Sequence, residues 1–77
     1  MKTPAQIGAE SFVAEMLKRN RLHDEVQFKE GRGTKSNIIM ACCETKPRFV
    51  YSMITDTITL DEYRAAVLAE IEKTKLA

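Results

Sequence analysis

Tryptophan is absent from this 77-residue sequence, histidine occurs once, and cysteine, proline and glycine number two, two and three. The two cysteines, Cys42 and Cys43, are neighbours. On a strand, neighbouring side chains point to opposite faces, so a bridge between them would distort the backbone. Two free thiols suit a reducing compartment. One histidine and an adjacent cysteine pair match no zinc spacing, and no serine lies in a G-x-S-x-G setting. No apolar run approaches the roughly 18 residues that a bilayer span requires. The opening Met1-Lys2-Thr3-Pro4-Ala5-Gln6 lacks the apolar stretch of a secretory signal. The expectation is a cytoplasmic chain with no membrane partner, no metal, no cofactor and no catalytic site.

What remains is an ordinary globular composition, 44% apolar and 30% charged, which argues against disorder. A chain of this length forms one domain, taken as 1–77, with one two-layer core and a stability of about 4–11 kcal/mol. Net charge is +1 and implies no partner by itself. The distribution is uneven. Residues 18–48 carry eight basic and four acidic groups, whereas residues 49–77 carry three basic and five acidic ones.

Thr3-Pro4-Ala5-Gln6 reads as a helix start, with Thr3 capping, Pro4 at the first position and Gln6 closing a capping box. Ala9, Phe12, Val13, Met16 and Leu17 follow at helical spacing. Gly8 weakens the first turn, which would shift the start toward Ala9. Asn20 is the expected terminator. Glu25 to Lys29 alternates as a half-buried strand, Glu30 to Lys35 forms a turn with two glycines, and Ile38 to Cys43 is an unbroken apolar run that reads as a second strand. Thr45 to Arg48 is a turn, and Phe49 to Ile54 a β-branched and aromatic strand. Thr59 and Glu62 then form a second capping box, with Ile58 and Tyr63 at the hydrophobic-staple positions. Tyr63, Ala66, Val67 and Ile71 give the last helix its core face. The predicted fold is α+β, a three-stranded antiparallel sheet flanked by N- and C-terminal helices, α-β-β-β-α, with both helices on one face.

His23, followed by Asp24 and Glu25, reads as a solvated loop in preference to an acid–base pair. The cysteines, embedded in an apolar run, read as packing residues. The segment Gly31-Arg32-Gly33-Thr34-Lys35-Ser36 lacks the G-x-x-x-x-G-K spacing of a P-loop and leads into a strand, so it reads as a hairpin connection in preference to an anion or nucleic-acid contact through its N–H groups and basic side chains. Lys18, Arg19, Arg21, Lys29, Arg32, Lys35, Lys46 and Arg48 form a phosphate-attracting patch only if the fold gathers them. The most informative feature is the apolar strand pair. Ile38, Met40 and Cys42 share one face and Ile39, Ala41 and Cys43 the other. Phe49, Tyr51 and Met53 likewise oppose Val50 and Ile54. A half-exposed antiparallel sheet normally alternates apolar and polar, so the second face is covered either by the chain itself or by a partner.

The element order and length resemble the double-stranded-RNA-binding domain. That family places a lysine cluster at the start of its second helix; here the same place holds Leu60, Asp61, Glu62 and Tyr63, whose carboxylates repel phosphate. The resemblance is one of topology alone. The leading functional expectation is a non-catalytic protein–protein interaction module. Small phage- and plasmid-type accessory proteins, regulators or inhibitors that dock on larger proteins, share its size and its lack of chemical sites. The partner is expected to be a protein macromolecule or a second copy in a homodimer, contacted through Ile39, Arg48, Tyr51 and Met53. The alternative is nucleic-acid binding by the basic segment 18–48 through Arg19, Arg21, Lys29, Arg32 and Lys35.

Overall fold

In a computed structural model, which describes residues 2–22 and 24–76, helix α1 spans Pro4–Lys18, strands β1, β2 and β3 span Val26–Arg32, Asn37–Cys43 and Phe49–Thr55, and helix α2 spans Leu60–Leu76. The strands form an antiparallel meander in the order β1-β2-β3. The chain is thus the expected α-β-β-β-α domain, with a Cα radius of gyration of 12.2 Å.

Helix α1 begins at Pro4, because both halves of its capping box form. The Gln6 amide donates to Thr3 Oγ1 at 3.2 Å, and the Thr3 amide donates to Gln6 Oε1 at 2.8 Å. Gly8 does not delay the start. A Cβ there would lie 2.4 Å from Met53 Sδ, so the glycine leaves room for the end of the methionine side chain. The helix ends in a Schellman turn. Asn20 takes φ 56°, Arg21 N–H donates to Met16 O, and Asn20 N–H donates to Leu17 O. Ala5, Ala9, Phe12, Val13 and Met16 make its buried stripe.

Helix α2 is capped differently from expectation. The Glu62 amide donates to Thr59 Oγ1 at 3.1 Å, and the Thr59 hydroxyl in turn donates to the Glu62 carboxylate. The staple residues Ile58 and Tyr63 are both buried in the common core. Asp61 and Glu62 sit in the first turn, and Lys73 and Lys75 in the last, matching the helix dipole at both ends.

Strand register decides which residues meet the helices. Val26, Cys43 and Phe49 form one row across the sheet; Phe28, Ala41 and Tyr51 form the next; Glu30, Ile39 and Met53 form a third. These odd-numbered β2 and β3 positions face the core cluster, which holds Phe12, Met16, Tyr63 and Val67. Phe12 packs against Phe49 and Tyr51 with ring centroids 5.8 and 6.4 Å apart, so α1 lies over β3. Tyr63 meets Phe28 edge-on at 6.2 Å, so α2 lies over β1. Both helices therefore cover the same face. Truncating Phe12, which is wholly buried, to alanine would cost about 3–5 kcal/mol.

Candidate protein-interaction face

The other sheet face carries Gln27, Lys29 and Gly31 on β1, Ile38, Met40 and Cys42 on β2, and Val50, Ser52 and Ile54 on β3. No helix covers it. Ile54 is 75% exposed and Val50 39%, while Ile38 and Met40 are half-buried by their neighbours. Cys42 is fully buried between its register partners Gln27 and Val50, and Cys43 is fully buried beneath the helices. Both are free thiols, and burial pushes the Cys43 thiol up. Lys29 Nζ and Arg48 Nε both reach Glu44, at 3.0 and 3.1 Å, and form a charged rim at one border. The Glu44 carboxyl is held below its ordinary range, first by its bond with Lys29. At the opposite border the loop Gly33-Thr34-Lys35-Ser36, closed by Gly33 N–H donating to Ser36 O at 2.8 Å, flanks Ile38.

Around the β3 edge the apolar surface continues into a shallow groove of 340 Å³ lined by Pro4, Ile7, Gly8, Tyr51, Met53, Ile54, Thr55 and Ile58. Ile7 is 54% exposed there.

The four expected contacts are divided by this arrangement. Arg48 stands at the rim of the open face. Ile39 is wholly buried under the helices, and Tyr51 and Met53 face the helices too, reaching the surface only in the edge groove. The open face is instead presented by Ile38, Met40, Val50 and Ile54. A signal for this phase existed in β1, where Val26 and Phe28 alternate with Gln27 and Lys29 and so identify the inward row.

The basic residues are not gathered. Arg21 is buried, and its guanidinium donates to Asp24, to the Thr45 carbonyl and hydroxyl, and to the Pro47 carbonyl. It is a clamp that holds the β2–β3 turn to the end of α1. Arg19 pairs with Glu15 and lies 4.8 Å above the Phe49 ring, at the same end of the sheet. Arg32 and Lys35 occupy the far hairpin, where Asp56 lines the same small cleft. Seven-residue strands separate the two groups by about 20 Å, and Lys29 between them is paired with Glu44.

Among the described residues no three His, Cys, Asp or Glu side chains cluster as metal ligands, and no helix is long and apolar enough to cross a membrane. His23 lies outside the described residues. No protein-family model, no curated protein and no solved structure matches this chain.

Proposed function

We propose that this chain is a non-catalytic protein–protein interaction module, a regulator or inhibitor that docks on a larger protein through the open face of its sheet. The observation that supports this reading is the apolar character of a face that the chain leaves uncovered, centred on Ile38, Met40, Val50 and Ile54. A sheet face with this composition normally lies against something. The rim of Lys29, Glu44 and Arg48 supplies polar groups at the border of the patch, the usual arrangement of a docking surface. The separation of the basic residues into two groups gives the nucleic-acid reading less support. Apolar burial drives the association, so binding survives moderate salt.

The test is affinity capture from an extract of the native host with three forms of the chain. Met40→Glu alters the centre of the open face and places a carboxylate opposite Lys29, a favourable cross-strand pair that preserves the strand. Leu68→Glu alters an exposed position on α2, away from the sheet. The same protein captured by wild type and by Leu68→Glu, and lost from a folded Met40→Glu, supports the reading. Equal capture by Met40→Glu defeats it, and so does recovery of nucleic acid alone that washes off as salt rises.

A further inference from the structure

The two edges of the sheet differ. Strand β1, Val-Gln-Phe-Lys-Glu-Gly-Arg, carries Lys29, Glu30 and Arg32, charges of the kind that protect an edge from pairing with another chain. Strand β3, Phe-Val-Tyr-Ser-Met-Ile-Thr, has seven residues without a charge, a proline or a glycine. Its flank is the apolar groove with exposed Ile7 and Ile54. An unprotected edge beside an apolar groove is a template for strand addition.

We propose that the occupant of this edge is β3 of a second copy of the chain, paired antiparallel about a two-fold axis at Ser52. A two-fold axis normal to the sheet requires paired residues to share a face, which permits only registers centred on a residue. Centring on Ser52 keeps all seven residues paired. Val50 then opposes Ile54 on the open face, and Tyr51 opposes Met53 on the helix face. The residues just outside the strand decide between registers. In the Ser52 register Arg48 of one copy stands opposite Asp56 of the other, and the symmetry repeats this pair. Asp56 has no ion-pair partner among the described residues, and Arg48 is exposed beyond its contact with Glu44. Moving the centre to Tyr51 places Arg48 against Ile54, and moving it to Met53 places Asp56 against Val50. Charge and apolar matching thus select one register. The product is a continuous six-stranded sheet with four helices on one side and the two open faces side by side on the other. This inference does not rest on the docking of a larger protein; it concerns the edge, not the face.

Sedimentation equilibrium on the pure chain, with circular dichroism as a control for folding, tests the proposal. Wild type is expected at twice the 8.7 kDa chain mass. Ser52→Lys, an exposed substitution, sets two lysines against each other at the axis and is expected to be monomeric. Arg48→Asp and Asp56→Arg test the register. Each alone places like charges opposite each other and weakens the dimer. Mixed in equal amounts, the two variants place opposite charges at both pairs, and a heterodimer forms. A wild-type monomer, a dimer that persists in folded Ser52→Lys, or charge variants that do not complement each other on mixing would each overturn it.

Discussion

Replacement of Arg21 by alanine has a cost that follows from its surroundings. The side chain is 9% exposed, and its fork joins Asp24, three positions on, to Thr45 and Pro47, 24 and 26 positions on. Hydrogen bonds to a charged group contribute about 1.5–3 kcal/mol each when measured singly. They do not add here, because one side chain makes them all. Two features lower the loss further. Asp24 keeps 27% of its side chain in water, and Thr45 and Pro47 are exposed residues, so water can reach the abandoned partners. The guanidinium carbon also lies over the Phe49 ring, 5.3 Å from its centroid, and that cation–π contact is lost. The net expectation is about 2–3 kcal/mol, below the cost of stranding a fully buried charge. In a domain of this size that lowers the melting temperature by about 10–20 °C. Lysine does not rescue, since its compact ammonium lacks the fork that reaches two turn residues at once. Urea unfolding of wild type, Arg21→Ala, Arg21→Lys and the exposed control Lys35→Ala measures this. A loss below about 1 kcal/mol for Arg21→Ala, or full stability in Arg21→Lys, would refute the clamp.

Tyr63 carries a buried hydroxyl with no hydrogen-bond partner among the described residues, and burial pushes its phenol pKa up; Tyr63→Phe is expected to be neutral or stabilising by up to about 1 kcal/mol in urea, whereas clear destabilisation would reveal a partner. Asp24 is held below the usual carboxylate range, first by the Thr45 hydroxyl and then by Arg21. A carboxyl with a depressed folded pKa stabilises the fold above its unfolded value and ceases to do so as pH falls through the folded one. The stability gap between wild type and Asp24→Asn should therefore be full above about pH 5 and shrink below about pH 4; a gap unchanged in acid contradicts it. Cys42 and Cys43 should resist alkylation in the native state and react at the rate of unfolding; rapid labelling of the folded chain would show that the sheet does not bury them.

Much of the fold was legible because its signals are local. The Thr3–Gln6 box, the Asn20 stop, the Thr59 cap and the staple each lie within a few residues, and alternation along β1 marks its strand. The faces of the apolar strands were legible as sets but not as inside and outside. Ile38 and Ile39 are equally apolar, and only the register carried from Phe28 through Ala41 to Tyr51 turns Ile39 inward. The role of Gly8 depends on a methionine forty-five positions later, and that of Arg21 on a turn that arrives after two strands. Composition near either residue carries no trace of these long-range contacts. The same limit scattered the basic residues, which are close in sequence and far apart across the sheet.

The division of the sheet into a covered and an open face underlies both the docking surface and the edge pairing, and one pair of substitutions in β3 tests it. Tyr51→Glu puts a carboxylate against Phe12 beneath the helices, while Ile54→Glu puts one at a position 75% exposed on the open face. Urea unfolding followed by circular dichroism reads both. The expected result is an unfolded or severely destabilised Tyr51→Glu, with a loss of about 3 kcal/mol or more, beside an Ile54→Glu that stays folded and loses no more than its cross-strand contact with the second copy, about 1 kcal/mol or less. A stable Tyr51→Glu together with a collapsed Ile54→Glu would show that the helices cover the opposite face.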